Sequence, residues 1–192
     1  MPKAMWLVVI AAAGIVAGVV IGQQVRPAAQ ASVQQPPFVY TGTVRDVMHM
    51  IVEPTSTALF DSVVTDITAD GIKEKKPETD DEWDTLEHNA ITLAEAANLV
   101  KMVGRPIARP DELNVDPQGP ELPPAEIAAR IAQTRDAWVK HAETLQEAAT
   151  EALKYVRAKD ADGMSKVGET LDNACESCHL AYWYPEDKKE KK

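Results

Sequence analysis

The only two cysteines in this 192-residue chain stand three residues apart, and a histidine follows the second, in the pentapeptide Cys175-Glu176-Ser177-Cys178-His179. The apolar residues leading into it, Met164, Val167, Leu171 and Ala174, recur at alternating steps of three and four, the spacing of a buried helical face. On that helix Cys175 and Cys178 are three apart and His179 is four from Cys175, so all three side chains reach one side. The motif is therefore expected on the core face of a C-terminal helix, in its last turns.

Three chemistries use such a motif. A c-type haem is held by thioethers from two cysteines to its vinyl groups, while the histidine that follows ligates the iron. Structural zinc wants four ligands in paired Cys/His clusters, and His49, His88 and His141 each stand alone. A thioredoxin-type C-x-x-C sits at a helix N-terminus after a strand, whereas here about ten residues of helical pattern precede the first cysteine. The covalent haem, with Cys175 and Cys178 as attachment points and His179 as iron ligand, fits the placement best.

Alanine is abundant, aromatics are few and no β-branched run beyond the N-terminal segment reads as strand, so the expectation is an all-α domain. Of the formal net charge of −10, residues 1–37 carry +2 and the tail 188–192 carries +3, which leaves −15 for residues 38–187. So acidic a domain is not expected to bind nucleic acid or anionic lipid, and a basic protein partner suits it; solubility alone also accounts for the acidity.

Residues 4–22 carry no charge and lie between Lys3 and Arg26. The length suits a membrane span, while Ala29-Gln30-Ala31 is an A-x-A site of the kind signal peptidase cuts. Residues 1–26 are accordingly read as a signal peptide or a membrane anchor, with length favouring the anchor. Either takes the domain across the inner membrane into the periplasm. Residues 27–38, rich in Ala, Gln, Pro and Ser, read as a flexible linker, and residues 39–187 as the folded domain.

A first helix is expected from Thr41 or Thr43, with Val44, Val47, Met48, Ile51, Ala58 and Leu59 on its apolar side. Met48 lies on that side, while His49 and Met50 point elsewhere, about 100° and 200° away. Pro54 should kink this helix or start a second, the apolar pattern then resuming through Val63 and Ile67. Residues 71–77 read as a polar connection. Thr79 and Glu82 form a capping box for the second helix, which carries Trp83, Leu86, Ala90, Leu93, Ala97 and Val100 at bundle spacing and leaves His88 towards solvent.

Residues 104–124 hold six prolines and cannot be regular helix. So long a connection either covers something or is an ordered surface excursion, and its Arg105 and Arg109 are candidate partners for haem propionates or simply solvated. Pro124 opens a third helix through Ile127, Ile131, Trp138, His141, Leu145, Ala152 and Val156. His141 lies at the edge of its apolar face, a position that favours a core histidine over a haem neighbour. The fourth helix starts at Asp160 or Asp162 as N-cap and ends in Tyr182-Trp183-Tyr184, aromatics that suit either the haem edge or the core.

Four amphipathic helices with C-x-x-C-H on the last resemble the class II cytochromes c, the cytochrome c′ family, over about residues 39–185. The resemblance implies an antiparallel four-helix bundle, thioethers at Cys175 and Cys178, and His179 as proximal ligand. The family's distal residue comes from the first helix, and Met48 is its match, either as sixth ligand or as an apolar cover. The basic residue that often follows the motif's aromatic is absent, since Trp183 follows Tyr182.

Two functions are then expected. A His179/Met48 six-coordinate haem c would transfer single electrons with periplasmic or membrane-bound redox partners; a five-coordinate haem would bind nitric oxide or carbon monoxide. An accessory subunit of a membrane complex and a homodimer stay open. No nucleophile–base pair, phosphate loop or carboxylate pair accompanies the motif, so an enzyme is not expected.

Overall fold

In the computed structural model, residues 39–113 and 119–185 are described, all within one compact unit, Phe38–Lys192. The expected signal or anchor, the linker and the basic tail lie outside the described residues, as do residues 114–118 of the proline-rich connection. Among the described residues no helix is long and apolar enough to cross a membrane.

The chain enters α1 (Val44–Val47) through a capping box: the Asp46 N–H donates to the Thr43 hydroxyl and the Thr43 N–H to the Asp46 carboxylate. The helix then widens into a π turn, Met48–Val52, in which the Glu53 N–H reaches the Met48 carbonyl, before continuing as α2 (Glu53–Phe60) with Pro54 in its first turn. Pro54 lacks an N–H and its ring would press on the Met50 carbonyl four residues back. The wider turn relieves that crowding without a break. It also inserts a residue into the helical register, so Val52 and Thr55 are buried while Ile51 and Ala58 are only half-buried.

The expected helical continuation and polar connection after α2 are instead a β-hairpin, and the all-α expectation is corrected to a mostly helical fold with one small sheet. Strands β1 (Val64–Thr68) and β2 (Gly71–Lys75) pair antiparallel from Val64↔Lys75 to Thr68↔Gly71. The β-branched run Val63-Val64-Thr65 with Ile67 and Thr68 favours extended backbone, and Gly71, at φ 123°, takes the positive angle the tight turn requires.

Helix α3 (Asp80–Val100) starts at the expected Thr79–Glu82 capping box. The connection after it is ordered on both described sides. Val44 and Arg45 donate their free helix-start N–H groups to the Pro106 and Ile107 carbonyls at 2.8 and 2.9 Å. Further on, the Leu122 N–H donates to the Trp183 carbonyl at 2.7 Å.

The single helix expected after Pro124 is two, α4 (Pro124–Gln133) and α5 (Arg135–Ala158). Thr134, at φ −124° and ψ 43°, breaks it, and its hydroxyl bonds to the Arg130 carbonyl and the Tyr182 hydroxyl instead. A tight turn through Lys159 in left-handed conformation leads to α6 (Ala161–Tyr182), capped by Asp160 on the Gly163 N–H.

Helix α5 packs along both α3 and α6, and α2 closes against α3 and α6. Leu93, Ala97, Ile127, Trp138, Ala149 and Leu171 form the centre of the core. Ala90, Ala96 and Ala97 of α3 and Ala142, Ala148, Ala149 and Ala152 of α5 are buried in that core, and Trp138 packs against Tyr182 and Trp183 near the motif.

Candidate functional site

Helix α6 carries Cys175, Cys178 and His179 in its last turns. They line a cavity of about 670 Å³, within the roughly 300–1,000 Å³ usual for cofactor pockets. Both thiols are free and half-buried. Burial pushes the Cys178 thiol up to about 12, and burial followed by the nearby Asp172 and Glu176 charges raises Cys175. A thioredoxin-type pair needs the opposite shift, at the other end of a helix.

The His179 imidazole is half-buried, and burial lowers its pKa against a smaller opposing pull from Glu176. It is therefore neutral at pH 7, the form that ligates a metal. Among the described residues no three His, Cys, Asp or Glu side chains converge to hold a metal ion by themselves.

Met48 enters the same cavity from the π turn, packed half-buried against the core. Of its two neighbours Met50 points away as the helical phase predicts, whereas His49, expected to point elsewhere, also lines the cavity. Met50 is 70% exposed, and His49 is exposed at the cavity mouth, with Nδ1 3.0 Å from a Glu53 carboxylate oxygen. Val52, Ala142, Leu145 and Trp138 give the walls their apolar character.

The other residues singled out by sequence divide. His141 faces the cavity from α5, with Nδ1 3.3 Å from the Ser177 hydroxyl and its ring edge-on to Tyr182 at 5.9 Å, so it neighbours the site rather than filling the core. His88 is exposed, as expected. Arg105 is drawn away by the Leu99 and Gly42 carbonyls and the Tyr40 ring, and Arg109 by Asp46 and Glu112; neither lines the cavity.

The arginine that does line it is Arg45, ion-paired with Glu121. Its spacing of three residues from Met48 was a usable signal for a shared helix side. Pro120 and Glu121 also line the cavity, so the end of the proline-rich connection covers it.

The three terminal aromatics take different roles. Tyr182 is buried, edge-on to Trp138 at 5.0 Å. Trp183 stacks on Trp138 and Tyr184 reaches Glu176, and both rings line the cavity beside His179. Burial, then the Glu176 hydrogen bond, pushes the Tyr184 phenol up to about 12.

The cavity thus offers two thiols and a neutral imidazole on one helix, a thioether from another segment, apolar walls, the further imidazoles of His49 and His141, and a guanidinium paired with Glu121. The thiols, the His179 imidazole and the Met48 thioether fit a haem c: cysteines for its vinyl groups, imidazole and thioether for iron. No protein-family model matches the chain, and no curated protein or solved structure matches it either.

Proposed function

We propose that this protein is a periplasmic c-type cytochrome of the class II kind, in which the α1–α2 segment, α3, α5 and α6 form an antiparallel four-helix bundle around one haem c. The observation that carries the reading is the convergence of Cys175, Cys178, His179 and Met48 on one cavity from segments far apart in the chain. Cys175 and Cys178 would hold the group by adding their S–H across its vinyl C=C bonds, sulfur bonding one carbon and hydrogen the other, with no net change in oxidation state. Bound there, haem c would supply a one-electron iron couple. His179 and Met48 would hold the iron, and the apolar walls would keep water away, which favours rapid exchange with redox partners.

A second reading, gas binding at five-coordinate iron, is supported by Val52 and Phe60, which line the cavity from the same segment as Met48 and suit an apolar distal cover. Optical spectra of oxidised and reduced protein, with and without carbon monoxide, separate the two. Low-spin bands that resist carbon monoxide and turn high-spin in Met48→Ala are expected. High-spin bands in both proteins, with ready gas uptake, favour the second reading; a chain without covalent haem overturns both.

A further inference from the structure

The His179 imidazole has no hydrogen-bond partner among the described residues, so something else must set its orientation. Two aromatic rings flank it, Trp183 at 6.2 Å and 61° and Tyr184 at 5.8 Å and 52° between planes. Trp183 is held by its stack on Trp138. Tyr184 lies just beyond the end of α6, half-buried, with its N–H donating to the His179 carbonyl at 3.1 Å, and its hydroxyl is fixed by donating to a Glu176 carboxylate oxygen at 3.0 Å. Glu176 is one of the two residues inside the motif and lies three before His179, on the neighbouring turn of the same helix face. The hydrogen bond therefore does two things at once. It seats the phenol ring beside the imidazole, and it holds a carboxylate near His179 that would otherwise extend into water.

We propose that Glu176 and Tyr184 form a clasp that positions the His179 ring and places a fixed negative charge beside it, so that the chain itself biases a haem iron towards its oxidised state. The inference rests on the haem reading above. A negative charge near a metal stabilises the more positive of its two oxidation states, and an anchored charge does so more than a mobile, solvated one. Glu176 is thus a positioning and tuning residue, acting through His179.

The test is the reduction potential of the full-length, haem-bearing protein and of Glu176→Gln, Tyr184→Phe and the double variant. Glu169→Gln serves as control, an exposed carboxylate about two turns earlier on α6. Glu176→Gln should raise the ferrous-to-ferric ratio at a fixed poise by about threefold, the scale of one partly screened charge. Tyr184→Phe should shift it the same way by less, the double variant no further than Glu176→Gln alone, and the control not at all. Additive shifts would show that Glu176 and Tyr184 act independently, and equal shifts in Glu176→Gln and Glu169→Gln would reduce the effect to net charge; either overturns the clasp. Unchanged potentials in a protein that carries thioether-linked haem overturn the clasp alone, whereas a chain that takes up no haem overturns it together with the proposed function.

Discussion

The indole of Trp183 stacks on that of Trp138 with ring centroids 6.1 Å apart and planes 23° from parallel. One wall of the cavity is thereby built from the buried core itself, since Trp138 is 1% exposed and donates its ring N–H to the Val100 carbonyl at 3.0 Å. Trp138→Ala removes the stack, the Tyr182 contact and that hydrogen bond together. A loss of about 3–5 kcal/mol is expected from the cavity left behind, read as a lower urea midpoint. A change under about 1 kcal/mol, the scale of a surface substitution, would mean that the aromatic cluster does not hold the motif end together.

Gly163, in the first turn of α6, lies directly against the Tyr155 ring of α5. A Cβ added there would lie 2.1 Å from Cδ1 of the Tyr155 ring, so Gly163→Ala should destabilise by about 1–3 kcal/mol, although alanine is the better helix former. Thermal unfolding of Gly163→Ala and of Gly163→Ala with Tyr155→Ala checks the cause. A single variant at least as stable as wild type would refute the close approach.

The Asp46 carboxyl is held below its ordinary 3.8, first by the Thr43 backbone hydrogen bond, then by the Thr43 hydroxyl, with the Arg109 charge adding to them. Because the folded value is depressed, its stabilisation is present above pH 3.8 and is lost as pH falls through the folded value. Acid unfolding of Asp46→Asn should therefore lose less stability below about pH 4 than wild type does. Parallel acid profiles would count against the linkage.

Cys175→Ser combined with Cys178→Ser should abolish covalent haem, tested by mass after denaturation. In chain made without haem, Cys178, raised to about 12 from an ordinary 9.0, should be alkylated at pH 8 at least about a hundredfold more slowly when folded than when unfolded. Equal rates would show that the thiol is not sheltered as the structure places it.

Much of the site was legible because helical phase is local. The steps from Met164 to Cys178 put the motif on the core side of α6, and the same arithmetic set Met48 apart from the exposed Met50, though not from His49, which also lines the cavity. The Thr79–Glu82 box and the Asp160 cap announced their helices because a cap is completed within one turn of its own sequence. The hairpin is less legible: Val63 and Ile67 also satisfy a helical period, and the helical pattern before them masks the β-branched composition that separates the two. The break at Thr134 had no local cue strong enough, since its hydroxyl finds the Tyr182 hydroxyl far along the chain.

By itself, the sequence determined which side chains share a helix face and where helices begin, since both follow from backbone period and first-turn hydrogen bonds. Tertiary structure decided the rest. It set the widened turn that changes register ahead of Pro54, and the pairing of Arg105 and Arg109 away from the cavity in favour of Arg45. It also placed the end of the proline-rich connection, Pro120 and Glu121, over the cavity. Each of these depends on groups distant in sequence competing for the same space and the same hydrogen-bond partners, and that competition exists only once the helices have packed.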